Sequence, residues 1–145
     1  MTTLLRGPQT SWNFRISVLG LGENMSGENL EIVTSLAGRD GLRILVLKGG
    51  LTVETVACFQ DAKRREDAPE LIIDMSGVTS IDSAGLGAMI AAYIPAKKAS
   101  RKLSFAGMNE RVKAVTDTSR LSQLLPIYAT VKDAEAALSK HEDTL

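Results

Sequence analysis

From Leu30 onward, apolar and polar positions fall into short blocks that each read as one structural element. Leu30–Leu36 and Leu42–Leu47 are rich in Leu, Ile and Val and have the character of strands. Gly38-Arg39-Asp40-Gly41 between them has turn chemistry, so the pair reads as an antiparallel hairpin. Gly49-Gly50 is expected to break the second strand, and Thr52 to cap a helix with Val53, Val56, Phe59 and Ala62 on one side. That helix ends in the charged run Lys63-Arg64-Arg65-Glu66-Asp67. Glu70–Met75 is a compact apolar run, the signature of a buried central strand. After a loop, a second helix is expected from about Ser83, with Leu86, Met89, Ile90, Tyr93 and Ile94 as its apolar stripe. Pro95 should kink that helix or end it early. A strand at Lys102–Ala106, a short helix capped by Asn109, a strand at Pro126–Ala129 and a final helix opened by Thr130-Val131-Lys132-Asp133 complete the chain.

This order, β-β-α-β-α-β-α-β-α, predicts an α/β fold. The opening hairpin is antiparallel, and the later alternation of strand and helix favours parallel crossovers. The expected architecture is a mixed β-sheet of about five strands with α-helices packed against it. Residues 1–29 differ in texture. They carry Pro8 and four glycines, and Trp12–Val18 alternates apolar with polar residues, a pattern suited to an edge strand or to pairing with a partner. The chain is therefore divided into an N-terminal extension, 1–29, and one compact domain, 30–145.

Composition narrows the chemistry. The 145 residues hold 17 Lys and Arg against 17 Asp and Glu, so the formal net charge is zero. A neutral chain lacks the broad basic face of a phosphate-backbone binder, and no direct nucleic-acid contact is expected. A single cysteine, Cys58, excludes an intramolecular disulfide, and one cysteine with one histidine, His141, cannot build a Cys/His zinc site. His141 lies in a polar stretch near the end of the chain, a poor setting for a buried general base. Carboxylates are numerous enough that a magnesium site stays open, but no cofactor is called for. No apolar run reaches the 18 or so residues of a membrane span, and Ile16–Leu21 is too short and lacks the cleavage pattern of a signal peptide. The expectation is a cytoplasmic protein without membrane insertion.

One segment stands apart. Asp74-Met75-Ser76-Gly77-Val78-Thr79-Ser80-Ile81-Asp82-Ser83-Ala84-Gly85-Leu86-Gly87 joins the central strand to the second helix, where α/β folds place functional loops. Asp82 or Ser83 can accept hydrogen bonds from the first-turn N–H groups, and Ser83 as a plain N-cap is one reading. Two glycines in the opening turns of a helix each cost about 1 kcal/mol relative to alanine. Gly85 and Gly87 therefore serve either close packing of helix on sheet or the approach of a partner, and Leu86 is either a core residue or a partner contact. Cys58 reads as a small buried apolar residue. Familiar motifs fail: Gly85-Leu86-Gly87 starts a G-x-G, but Ile90 occupies the third glycine position of a dinucleotide fingerprint, and neither a P-loop nor a G-x-S-x-G nucleophile elbow is present.

Ile72–Ser76 followed by Ile81-Asp82-Ser83-Ala84-Gly85-Leu86-Gly87 resembles the signature of the STAS domain, and within that superfamily the D-S-[ST]-G-L-G motif of bacterial anti-sigma factor antagonists. The resemblance runs from about Leu30 to Leu138 and includes Asp117-Thr118-Ser119-Arg120-Leu121, where that family tends to have D-x-S-G-L. It implies a non-enzymatic regulator that binds an anti-sigma factor acting as a serine kinase. By position it implies phosphorylation of Ser83, which breaks the complex, and a serine phosphatase that restores it. The implied partner surface is Asp82, Ser83, Ala84, Gly85, Leu86 and Gly87, with Thr52 beside it. Two departures are evident. Ala84 stands where many relatives have a second Ser or Thr, and Gly49-Gly50-Leu51-Thr52 replaces a G-E-[LI]-D pattern, removing acidic residues that a kinase would meet. The alternative is a stand-alone STAS subunit docked to a membrane transporter or signalling complex, without phosphorylation.

Overall fold

The computed structural model describes residues 14–16, 30–36 and 40–143. Six strands form one sheet in the order β1-β2-β3-β4-β5-β6. They are β1 (Phe14–Ile16), β2 (Leu30–Leu36), β3 (Leu42–Leu51), β4 (Glu70–Ile81), β5 (Lys102–Ala106) and β6 (Ile127–Tyr128). The helices are α1 (Val56–Arg65), α2 (Ser83–Lys98), α3 (Glu110–Thr118), α4 (Leu121–Leu124) and α5 (Val131–Asp143). β1, β2 and β3 pair antiparallel, and β3 through β6 pair parallel. The mixed sheet follows the expectation, with one strand more than expected. That strand, β1, comes from the 1–29 segment and adds an edge beside β2; the rest of that segment lies outside the described residues.

The two faces of the sheet carry unequal cores. On one, Leu45, Leu47, Ile73, Met75 and Phe105 pack with Phe59 and Ala62 of α1, Met89 and Ala92 of α2, Val112 of α3 and Leu121 of α4. On the other, Ile44, Ile72 and Ala106 meet Ala134 and Leu138 of α5. Each fully buried Leu, Ile or Phe contributes about 1.5–3 kcal/mol by leaving water, so the first face dominates stability. Arg43 and Glu66 add a partly exposed ion pair at 3.7 Å.

Three expectations are corrected. Gly49-Gly50 does not break β3, which continues to Leu51. The parallel register with β4 shifts between Val46 and Lys48 and again between Gly49 and Gly50, and the glycines absorb these bulges; Gly49 takes a φ of 118°. Likewise Glu70–Met75 is only the first half of β4, because Ser76–Ile81 stays paired to the end of β3. Gly77 permits it: a Cβ there would lie 2.8 Å from the Leu47 carbonyl oxygen. Finally, Thr52 does not cap α1. It opens a turn whose Thr55 and Val56 N–H groups both donate to the Thr52 carbonyl, and the helix begins one turn later behind Thr55. Val53, expected on the inner side, is consequently 68% exposed.

Pro95 neither ends α2 nor stops its packing. It lies on the exposed side, so the missing hydrogen bond falls where water can serve Ala91, while Ala92 and Ala96 remain buried. The short α4 was not evident in the hydrophobic pattern. It follows Arg120, which adopts the left-handed conformation with φ 62° and ψ 18°. That is the position at which the D-x-S-G-L pattern has glycine, and a left-handed residue with a Cβ is strained. Arg120→Gly should therefore stabilise the fold by about 0.5–1 kcal/mol. Urea unfolding measures this, and a lower midpoint would refute the strain.

Candidate functional site

The C-terminal ends of β3 and β4 deliver two loops to the same place. One is the turn Thr52–Thr55, the other the junction at which β4 becomes α2. The Asp82 carboxylate ties them together. Its Oδ1 accepts from the Gly85 N–H at 2.9 Å, capping α2, and its Oδ2 accepts from the Val53 N–H at 3.0 Å. The Asp82 N–H donates to the Leu51 carbonyl at 3.4 Å, and its own carbonyl takes the first helical bond from Leu86. Thr55 secures the opposite side of the turn: its hydroxyl donates to the Gly50 carbonyl at 2.7 Å and accepts from the Thr52 N–H at 3.0 Å.

This arrangement decides which of the two residues at the helix start is structural. Asp82 is the N-cap; Ser83 is the first helical residue, exposed, with its hydroxyl not needed for capping. The reading of Ser83 as a plain cap is therefore excluded. The glycines separate just as cleanly. Gly85 is buried, and a Cβ there would collide with the Leu51 carbonyl and lie 2.8 Å from Ile81 Cγ1, so it exists for packing of α2 on the sheet. Gly87 is exposed, and a Cβ there would meet nothing within 4 Å. Nothing inside the fold asks for glycine at 87. Leu86 is half-buried against the main core, and Ala84 is half-buried at the rim.

The residues singled out in the sequence thus converge: Thr52, Asp82, Ser83, Ala84, Gly85, Leu86 and Gly87 occupy one end of the sheet, with Gly85 facing inward. Val53 was missed, because helical spacing placed it on the inner side of a helix that starts later. Its apolar side chain is exposed beside the Asp82 tie. Asn109 steadies the next loop, donating to the Val78 carbonyl at 2.9 Å while accepting from the Val112 N–H.

His141 belongs to α5, which packs on the opposite face of the sheet from α2. Burial, with Asp61 second, raises the Cys58 thiol above its usual range, which disfavours a nucleophilic thiolate. No cluster of three His, Cys, Asp or Glu able to hold a metal occurs among the described residues, and none of their helices is long and apolar enough to cross a membrane.

Comparison with known protein families matches residues 34–134 to the STAS domain. The chain belongs to the STAS domain family. Its fold is shared with solved structures at low sequence identity. An anti-sigma factor antagonist from Mycobacterium paratuberculosis is 19% identical with a TM-score of 0.62, covering 92% of this chain and 97% of that one. The Bacillus cell-fate determinant SpoIIAA in its phosphorylated form is 14% identical with a TM-score of 0.55, covering 74% and 98%. A sulfate transporter family protein from Wolinella succinogenes is 16% identical with a TM-score of 0.61, covering 80% and 93%. A comparison with curated protein sequences finds no match. STAS domains are regulatory and binding modules, and this chain has the fold of both the antagonist and the transporter branches.

The geometry separates substitutions that sequence alone would group together. Asp82→Ala should cost about 1–2 kcal/mol, because the cap and the loop tie are lost together. Gly85→Ala should cost about 2 kcal/mol or more through overpacking, whereas Gly87→Ala should raise stability by about 0.5–1 kcal/mol through helix propensity. Thermal unfolding of the three variants checks the order, and equal effects at 85 and 87 would contradict it.

Proposed function

We propose that this STAS domain is an anti-sigma factor antagonist-like regulator, cytoplasmic and non-enzymatic, that docks on an anti-sigma factor acting as a serine kinase. Phosphorylation of Ser83 switches it off and a serine phosphatase restores it. The observation that carries this reading is the exposed Ser83 hydroxyl on the first turn of α2, released from capping by Asp82. A phosphoserine adds about −1.5 to −2 charges. At this position the helix dipole and the free first-turn N–H groups offset that charge, so the fold survives. A partner seated on Val53, Leu86 and Gly87 would meet the new dianion beside the Asp82 carboxylate, and the desolvation and repulsion oppose docking. Gly87 fits this surface as a bare position over which a partner backbone can pass. Ala84 leaves Ser83 without a neighbouring hydroxyl to share the modification.

The likeness to the Wolinella sulfate transporter family protein supports a second reading, an unphosphorylated docking module of a membrane assembly. One experiment separates the two. The protein is incubated with a candidate anti-sigma factor serine kinase from the same organism, ATP and magnesium, the phosphosite is mapped, and binding of the kinase is measured for wild type, Ser83→Ala and Ser83→Asp. Labelling should vanish in Ser83→Ala, and Ser83→Asp should bind about tenfold or more weakly. Labelling that persists in Ser83→Ala, or undiminished binding by Ser83→Asp, would refute the switch. Stable co-purification with a permease, without label, would establish the second reading instead.

A further inference from the structure

The opposite end of the molecule holds a cavity that the switch does not use. It has a volume of about 440 Å³ and lies between the C-terminal half of α2 and α5, at the start of β5. The sheet is incomplete there. β6 pairs only with Phe105 and Ala106, so among the described residues no strand lies beyond Lys102–Ser104 of β5. The Phe105 N–H donates toward the β6 side, to the Pro126 carbonyl. By two-residue alternation the Leu103 N–H points to that same, uncovered side.

Ser104 lines this cavity and is the anomaly in it. The residue is only 4% exposed, and its hydroxyl has no hydrogen-bond partner among the described residues, although it stands on a strand between two cores. An orphaned buried hydroxyl costs about 1–3 kcal/mol, and alanine would fit the same space without that cost. The rim is cationic: Lys97, Arg101 and Lys102 all line the opening. Lys102 has Glu70 at 4.0 Å, and Lys97 sits 5.9 Å from the centroid of the Tyr93 ring; the described lining holds three cationic side chains and no carboxylate. Arg101 also adjoins Lys63, whose ammonium is pushed below its usual range first by burial and then by that guanidinium. Tyr93, Tyr128 and Leu138 supply apolar walls. Convergent polar groups in a largely apolar pocket of this size are the attributes of a small-molecule site.

We propose that this cavity binds a small organic anion, a carboxylate carried on an aromatic or aliphatic body. The carboxylate would accept from the Leu103 N–H and, once the buried Ser104 side chain turns about χ1 toward the cavity, from the Ser104 hydroxyl, under the field of Arg101 and Lys97, and the body would lie against Tyr93, Tyr128 and Leu138. Ser83 and the cavity are the two ends of α2: fourteen residues separate Ser83 from Lys97, about 21 Å along the axis. A ligand in the cavity therefore does not touch Ser83.

The test titrates 2-naphthoate and decanoate, as aromatic and aliphatic probes, into the full chain while amide NMR shifts are recorded. At least one should give saturable shifts at Arg101, Leu103 and Ser104, with none at Ser83–Gly87. The neutral 2-naphthamide should bind about tenfold more weakly than the naphthoate, as should either probe to Ser104→Ala and to Arg101→Glu. Ser104→Ala should meanwhile melt at the same temperature as wild type or higher, which separates lost binding from damaged folding. No saturation by either probe below about 5 mM would overturn the proposal. So would equal affinity for amide and carboxylate, or undiminished binding by either variant.

Discussion

The site depends on one carboxylate. Asp82 accepts one hydrogen bond from the helix it caps and another from the loop after β3. Hydrogen bonds to a charged acceptor are roughly twice as strong as neutral ones, so this residue fixes the distance between Val53 and the first turn of α2. It also determines what its neighbour is free to do. With the cap supplied from position 82, Ser83 stands in the first turn as a solvent-facing hydroxyl with no structural duty. An exposed hydroxyl thus stands on a rigid element whose cap is supplied by its neighbour.

The bulges at the end of the β3–β4 pairing serve the same purpose from below. Two register shifts let β4 run to Ile81, immediately before Asp82, while still paired to β3. The helix start therefore sits on the sheet rather than on a loose connection, and Gly85 lets the first turn lie directly against the Leu51 carbonyl. Bulges commonly occur where a strand must re-aim the next element, and here they set the entry of α2. α2 then links two chemically different ends: a start capped by the Asp82 side chain and bearing the exposed Ser83 and Gly87, and a far end gathering Lys97, Arg101 and Lys102 around a cavity. The zero net charge of the chain conceals that local excess.

Much of this was legible in the sequence, and the failures share a cause. Leu30–Leu36 and the final helix were readable because each buries a face and shows it as periodicity, whereas Lys102–Ala106, buried from Leu103 to Ala106, was readable only as a short strand-like run. Gly49-Gly50 looked like a break because glycine weakens a strand interior; in the middle of a sheet, bulges there and a close backbone approach at Gly77 make glycine the residue that allows the strand to continue. Val53 was placed inside because helical spacing cannot tell a helix from the turn preceding it, and only the Asp82 and Thr55 bonds locate that boundary. Asp82 and Ser83 were both recognisable at the helix start, but which of them caps is a matter of backbone position. Ser104 left no signal, since a serine in a short strand announces neither its burial nor its missing partner.

The central claim is that a phosphate at Ser83 changes the surface and leaves the fold intact. It is tested most directly by comparing the amide NMR spectrum of the protein phosphorylated at Ser83 with that of the unmodified protein. The account expects shifts confined to Thr52–Thr55 and Asp82–Gly87, with the Gly85 N–H still hydrogen-bonded to Asp82 and the spectrum elsewhere unmoved. Shifts spreading through β4, β5 and α5, or loss of the Gly85 cap, would contradict it.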